Sequence, residues 1–142
     1  MKKLYALIAL ALLSMGNAIY LTINAFQYKA GDTSKFLCDI NDTLSCSSLF
    51  EFDFSWIFGV PFPAIAMVVY PIITIIAILG VLGKCKKTFQ ILLALGIGGM
   101  LFNSYIIYNE FQVWVFCPAC LACTVAITTI AVLSFLGLKD KK

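Results

Sequence analysis

Apolar positions dominate four long stretches of the chain, and polar residues are confined mostly to the connections between them. A helix that crosses the hydrocarbon core of a membrane needs about 20 apolar residues. Four stretches reach that length without a charged side chain, at residues 4–26, 62–82, 89–108 and 113–138. The pattern predicts an all-α membrane protein in which residues 1–142 form a single four-helix bundle. Residues 27–61 form a long polar loop between the first two predicted helices.

The composition supports lipid as the solvent of this chain. It is 62% hydrophobic and 12% charged over 142 residues, which is too apolar for a soluble domain of this size. Neither histidine nor arginine occurs. Imidazole acid–base chemistry, His-ligated metals and guanidinium clamps on phosphate are therefore excluded, and thiols are the main reactive groups left. The lysine clusters do not resemble a nucleic-acid surface, so we expect no nucleic-acid partner.

The charges predict how the chain crosses the membrane. Lysines flank the predicted spans at both chain ends and between the second and third spans: Lys2, Lys3, Lys84, Lys86, Lys87, Lys139, Lys141 and Lys142. Acidic residues dominate the long loop instead: Asp32, Asp39, Asp42, Glu51 and Asp53. Because cytoplasmic connections are enriched in lysine, we expect a multi-pass protein of the cell membrane with both termini cytoplasmic. The long loop is then extracytoplasmic.

A cleaved signal peptide is a competing interpretation of the N-terminus. Lys2 and Lys3 precede an apolar core, and the small residues around Ala18 offer a cleavage site. The apolar character nevertheless continues through Ile23. Cleavage would leave that segment without lipid, so a retained first span is favoured.

The predicted topology separates the six cysteines. Four fall at or near the outer face, where disulfides persist: Cys38, Cys46, Cys117 and Cys120. Cys85 lies among the cytoplasmic lysines, where thiols stay reduced. Cys123 is one helical turn inside the last span, and we interpret it as a small packing residue, with a spare thiol as the alternative.

The segment Cys117-Pro118-Ala119-Cys120 has the chemistry of a redox dithiol. Pro118 suits the first turn of a helix, which makes Cys117 the N-cap. The positive end of the helix dipole then stabilises the thiolate, which is the attacking form in disulfide exchange. Cys38 and Cys46 in the long loop form a second pair of thiols, called the loop pair. With this pair as a second dithiol, we predict an electron relay. A static disulfide and a zinc site that uses both pairs remain alternatives.

Aromatic residues alternate with other residues from Phe50 to Trp56. A period of two is typical of a strand. Because no partner strand is evident, we expect this segment to lie in the membrane interface with its rings dipped toward lipid. Such rings either roof a pocket for a flat apolar ligand or act as a plain anchor.

Small residues in the third predicted span favour close helix packing, notably the pair Ala94 and Gly98, together with Gly96 and Gly99. Asn103 lies nearer the outer level of the same span. Its amide either faces a cavity or bonds to a neighbouring helix.

Four motifs, taken together, resemble the vitamin K epoxide reductase family in their order and spacing. They are Cys38-Asp39, Ser45-Cys46-Ser47, Phe58-Gly59-Val60-Pro61 and Cys117-Pro118-Ala119-Cys120. The resemblance covers nearly the whole chain and implies a four-helix bundle around a quinone, such as ubiquinone or menaquinone. It implies that Cys120 faces the quinone, that Cys117 exchanges with Cys46, and that Cys38 meets an external thiol partner.

The resemblance also implies a pocket for the quinone. The residues expected there are Phe50, Ser55, Phe58, Phe62 and Thr124. Vertebrate members carry Asn and Tyr where this chain has Ser55 and Thr124, so epoxide reduction is not expected. No metal ligands are predicted.

The function implied is that of a membrane thiol–disulfide oxidoreductase that supports disulfide bond formation. It would oxidise a secreted or periplasmic thioredoxin-like protein and reduce a membrane quinone. Many microbial members carry a fused thioredoxin-like domain, whereas this sequence ends at Lys142, so we expect a separate partner protein.

A thiol-based metal-binding or metal-transport protein is the alternative function, and a scaffold with static disulfides is another. The disulfide-bond protein B family, also four-span and quinone-linked, has its Cys-x-x-Cys in the first outer loop, the reverse of this order.

Overall fold

Four long helices make up most of the structure, a computed structural model that describes residues 2–31, 40–41, 44–53 and 56–141. For Cys46 and Ser47 it describes the backbone alone. The elements in chain order are α1 (Lys2–Lys29), α2 (Cys46–Leu49), β1 (Trp56–Ile57), β2 (Val60–Pro61), α3 (Phe62–Val81), α4 (Thr88–Val113) and α5 (Pro118–Lys141). Helices α1, α3, α4 and α5 are each long and apolar enough to cross a membrane. The predicted all-α membrane fold with four spans is confirmed.

The four long helices pack as a ring. Helix α1 packs chiefly on α3, and α4 packs chiefly on α5, while contacts of α1 with α5 and of α3 with α4 close the ring. Leu7, Ile73, Leu92 and Ile130 are fully buried in its centre. Large apolar side chains also cover the outside, and Leu101 is 69% exposed. Helices that are apolar on all sides are typical of proteins surrounded by lipid.

The lysine-rich segments share one end of the bundle. Lys3 forms an ion pair with Asp140, which brings the start of α1 to the end of α5. The ammonium group of Lys141 lies 5.4 Å from the ring centroid of Phe89, near the start of α4. The start of α5, with Cys117 and Cys120, is therefore at the opposite end. That the lysine-rich end is cytoplasmic stays a prediction.

The reversal between α4 and α5 differs from the predicted spans. Helix α4 continues to Val113, and Trp114 ends it in the left-handed conformation with a φ of 57°. Helix α5 begins at Pro118 rather than at residue 113. Because the third span was predicted to end at residue 108, the extension brings Glu110 into a membrane-spanning helix. Apolar runs locate helices well, but they do not reveal a turn made of apolar residues.

A short hairpin corrects the expectation that the aromatic segment has no partner strand. Strand β1 pairs antiparallel with β2, with Trp56 opposite Pro61 and Ile57 opposite Val60. The two turn residues, Phe58 and Gly59, have φ values of 51° and 79°. Positive φ at both positions is the signature of the type I′ turn, which matches the twist of paired strands. The hairpin leads directly into α3.

Close packing of α4 on α5 depends on glycines other than the predicted pair. A Cβ atom on Gly96 would lie 3.0 Å from the Cα of Ala131, and one on Gly99 would lie 2.6 Å from Cγ1 of Ile127. No atom lies within 4 Å of the Cβ position of Gly98. Gly96 and Gly99 therefore permit the close approach, whereas Gly98 faces open space.

Candidate redox site

The start of α5 presents the Cys-x-x-Cys pair. The carbonyl of Cys117 accepts a hydrogen bond of 3.0 Å from the backbone N–H of Leu121, the first bond of the helix. Cys117 is therefore the N-cap, and Pro118 occupies the first helical position, where its missing N–H costs no bond. This geometry confirms the local prediction. Cys120 follows one turn further along α5.

The two thiols of this pair are buried and contact each other. The side chain of Cys117 is fully buried and that of Cys120 is 4% exposed, and a hydrogen bond joins them. Both pack in one apolar cluster with Leu21 of α1, Phe62 of α3 and Ile106 of α4. The cluster excludes water from the sulfur atoms, so exchange requires a partner sulfur that is delivered from within the protein or from the membrane.

The loop that carries Cys46 is bonded to the segment that precedes Cys117. The backbone N–H of Ser45 donates a hydrogen bond of 2.9 Å to the carbonyl of Phe116, and Leu44 and Phe116 form a parallel bridge. The Oγ of Ser45 accepts a 3.2 Å bond from the N–H of Ser48 and caps α2, whose first residue is Cys46. The backbone of Cys46 therefore lies beside the segment that carries Cys117.

Helix α2 is held in this position by apolar burial. Leu49 is fully buried and Phe50 is 2% exposed, and both belong to the cluster that contains Cys117 and Cys120. Burial of one such side chain contributes about 2 kcal/mol. The Nε1–H of Trp56 donates a 2.9 Å hydrogen bond to the carbonyl of Phe50 and ties the hairpin to the same segment.

An apolar cavity of about 300 Å³ lies between the four long helices and reaches the thiol pair. Residues from α1, α3, α4 and α5 line it: Leu21, Phe62, Ile65, Ala66, Val69, Tyr70, Ala94, Leu95, Gly98, Gly99, Phe102, Asn103, Cys120, Cys123 and Ile127. Cys120 of the redox pair thus faces the cavity. Ala94 and Gly98 leave its α4 wall open because neither fills it with a large side chain.

Few polar groups face this cavity, and two of them belong to Asn103 and Tyr70. The Nδ2 of Asn103 donates one hydrogen bond of 2.8 Å to the carbonyl of Gly99, which leaves its second N–H for a ligand. The Oγ1 of Thr124 lies 3.3 Å from Oδ1 of Asn103 and fixes the orientation of the amide. Both alternatives that the sequence left open for Asn103 therefore hold, since its side chain bonds to α5 and also faces the cavity.

The predicted quinone-binding residues fall in different places. Phe62 lines the cavity, and the single hydroxyl proton of Thr124 is shared between Oδ1 of Asn103 and the carbonyl of Cys120, which lies 3.1 Å from its Oγ1. Phe50 packs outside the cavity, and Phe58 is completely exposed at the hairpin turn. Ser55 lies outside the described residues, as does Cys38. A quinone-binding role for these five residues stays a prediction.

Residues that the sequence reasoning missed also approach the pair. The Nδ2 of Asn17 on α1 donates to the carbonyl of Ala119 at 2.9 Å and to the Sγ of Cys123 at 3.0 Å. Asn17 was considered part of a possible cleavage site, whereas here it joins α1 to α5. An amide side chain inside an apolar helix is the signal that could have indicated such a role. Cys123 packs in the bundle and also lines the cavity.

A metal site is not visible in the part of the chain that the structure describes. Within residues 2–31, 40–41, 44–53 and 56–141, no three His, Cys, Asp or Glu side chains converge. A zinc site of the kind considered above would need both loop cysteines, whose side chains are outside this description.

Fold and site together define a class, a multi-pass membrane protein with a buried dithiol at the edge of an apolar cavity. The sequence profile of the vitamin K epoxide reductase family matches residues 5–135, which is most of the chain. The chain belongs to this family and is therefore a membrane oxidoreductase. Enzymes of the family are quinone-linked in general. No curated protein matches the chain.

Proposed function

We propose that this protein oxidises the dithiol of a thioredoxin-like protein and passes two electrons to a membrane quinone, which supports disulfide bond formation. One observation carries the proposal. Cys120 faces the apolar cavity, while Phe116, immediately before Cys117, is bonded to Ser45, immediately before Cys46. The Cys117–Cys120 pair therefore lies between a site for a lipid-soluble acceptor and the loop that carries the second cysteine pair.

The electrons travel through two exchange steps. The partner's dithiol reduces the disulfide Cys38–Cys46, and the partner becomes a disulfide. The thiolate of Cys46 then attacks the Sγ of Cys117 and breaks the Cys117–Cys120 bond. Attack by Cys38 on the resulting mixed disulfide restores the Cys38–Cys46 bridge and leaves Cys117 and Cys120 reduced.

The lining of the cavity fits a quinone. Its volume is at the lower end of the range for small-molecule sites, and such sites are mostly apolar with a few placed polar groups. Phe62 and Phe102 offer ring faces, and the free N–H of Asn103 offers a donor for a carbonyl oxygen. When bound, a quinone supplies the acceptor for two electrons and two protons. The thiols of Cys117 and Cys120 lose these as they form their disulfide.

The same arrangement supports a membrane orientation. The lysine-rich end of the bundle is cytoplasmic in the proposal, because positive charge marks the cytoplasmic side. Cys117, Cys120 and the loop pair then lie on the extracytoplasmic side, where a secreted or periplasmic partner acts in trans.

Mass spectrometry of trapped disulfides tests the relay. In membranes, Cys38→Ala is expected to accumulate the mixed disulfide between Cys46 and Cys117, because Cys38 is the sulfur that resolves this intermediate in the forward direction. Cys46→Ala is expected to abolish partner oxidation. The control Cys85→Ala changes a thiol between α3 and α4 and should retain the wild-type rate.

Two results would contradict the proposal. A Cys38–Cys46 bridge that never exchanges, with or without added quinone, would make the loop disulfide purely structural. Stoichiometric zinc that resists chelators in the purified protein would favour a metal-binding protein instead.

A further inference from the structure

Helix α4 buries an acidic side chain that the proposed relay does not use. Glu110 is completely buried, and neither carboxylate oxygen has a hydrogen-bond partner among the described residues. Placing a charged carboxylate in such surroundings costs several kcal/mol unless a partner compensates. A group this costly inside a membrane-spanning helix marks a functional position.

The position of Glu110 relates it to the redox pair. It lies one helical turn beyond Ile106, which packs in the apolar cluster with Cys117 and Cys120. The Glu110 carboxylate also interacts electrostatically with the Cys120 thiol. Cys120 is therefore coupled to an acidic group of α4 and at the same time faces the cavity.

The proposed exchange creates a need for a proton at Cys120. When a thiolate attacks Cys117, Cys120 leaves with the electron pair of the broken S–S bond. A thiolate held among Leu21, Phe62 and Ile106 lacks water to stabilise it. A protonated carboxylic acid that comes within hydrogen-bond reach of this sulfur would remove this cost by transferring its proton.

We propose that Glu110 donates a proton to Cys120 when the Cys117–Cys120 disulfide opens, and that the proton which Cys46 lost in becoming a thiolate then restores Glu110. The inference rests on the proposed function. In the opening step, the Cys46 thiolate, the Cys117–Cys120 disulfide and Glu110 as the acid become a Cys46–Cys117 disulfide, a Cys120 thiol and the Glu110 carboxylate. One S–S bond breaks, one forms, and the negative charge moves from Cys46 to Glu110.

Few other titratable groups interact with the Cys120 thiol, which receives this proton. The titratable groups that interact with Cys120 are Cys117 before α5, Cys123 on α5 and Glu110 on α4. No lysine within the described ranges is among them. When Cys117 and Cys123 are replaced, Glu110 is the one titratable group among the described residues that still interacts electrostatically with Cys120.

The first test isolates Cys120 as the single thiol. In the full chain, the other cysteines are replaced by alanine, and the alkylation rate of Cys120 with a small neutral maleimide is measured against pH. Two interacting titrations give a two-step profile. Glu110→Gln is expected to reduce it to one step, and Glu110→Asp is expected to keep two. Glu51→Gln, which removes a carboxylate from the loop segment before β1, is the matched control.

The second test uses the wild-type cysteines. Glu110→Gln is expected to slow reduction of the Cys117–Cys120 disulfide roughly 100-fold, which is the lower end of the range for general acid catalysis, and Glu110→Asp should recover part of the rate. The thermal unfolding temperature of Glu110→Gln should not fall, because a neutral amide is less costly to bury than a carboxylate.

The alkylation profile distinguishes this inference from the proposed function, because it needs neither quinone nor partner. Identical profiles for the single-thiol protein with Glu110 and with Gln at that position would overturn the proton-transfer role even if the relay operates. A large fall in unfolding temperature in Glu110→Gln, with no change in the profile, would make Glu110 structural.

Discussion

The side chain of Asn103 lines the cavity and keeps one N–H donor available for a ligand. One N–H is bonded to Gly99 and Thr124 contacts the oxygen, so the amide is held in place with one donor left. Orientation of this kind reduces the entropy that is lost when a ligand binds.

Asn103→Ala is therefore expected to weaken quinone binding. Loss of one hydrogen bond is worth about 1 kcal/mol, which corresponds to a rise of roughly fivefold in the KM for quinone, with a smaller effect on kcat. Quinol formation in membranes, followed against quinone concentration, measures this. Asn109→Ala is the control, since Asn109 makes the same type of bond to the carbonyl of Tyr105 but does not line the cavity. Equal KM values in the two variants would place the quinone carbonyl elsewhere.

How far single residues could be predicted depends on whether their role is local. The N-cap position of Cys117 and the first-turn position of Pro118 follow from their spacing, so the sequence was sufficient to predict how α5 begins. Asn103 and Tyr70 meet at the cavity through the rotation of two different helices, which no local pattern specifies. Glu110 was missed because it follows the predicted end of its span by two residues and was therefore placed outside the membrane.

Helix α4 uses neighbouring glycines for two different purposes. Gly99 permits contact with Ile127 of α5, whereas Gly98 faces the cavity and has open space at its Cβ position. The sequence favoured both as packing residues, since a stripe of small residues does not reveal which of its faces meets a helix.

Gly98→Leu is expected to fill the cavity and to abolish most quinone reduction without unfolding the bundle, because its side chain enters open space. Gly99→Leu should instead destabilise the protein by about 1–3 kcal/mol through overpacking against Ile127. Quinol formation and thermal unfolding of both variants check the pair of outcomes. Reduction of the Cys117–Cys120 disulfide by a small dithiol serves as the control and should persist in Gly98→Leu. If Gly98→Leu reduces quinone at the wild-type rate, the acceptor does not occupy this cavity.

Helix α2 and the hairpin show what apolar patterns omit. Both are short, and their positions depend on the burial of Leu49 and on the bond from Ser45 to Phe116. The alternating aromatic pattern is typical of a strand at Trp56, but that interpretation was set aside because no partner strand was evident. The partner strand contains only two residues, and one of them is Pro61. Elements held by contacts distant in sequence are the ones that single-sequence reasoning leaves undefined.

The whole molecule places its lysine clusters and its Cys117–Cys120 pair at opposite ends of the bundle. Lys3, Asp140 and Lys141 lie at one end of the bundle, while Cys117 and the Ser45 segment lie at the other. The apolar runs and the lysine clusters predicted this division, because both are properties of long segments and do not depend on exact contacts. In the proposed orientation, the dithiol meets an oxidising compartment while the opposite end meets the cytoplasm.

Labelling of single cysteines in intact cells tests this orientation. With the other five cysteines replaced by alanine, Cys85 between α3 and α4 is expected to resist a membrane-impermeant maleimide and to react after the cells are permeabilised. Glu51→Cys in a background without native cysteines is expected to react in intact cells, because the loop segment before β1 lies at the opposite end. A chain in which Cys85 reacts first would be inverted, and its dithiol would face the reducing cytoplasm. Oxidation of a secreted thioredoxin-like protein would then be impossible, so the orientation is a condition for the proposed function.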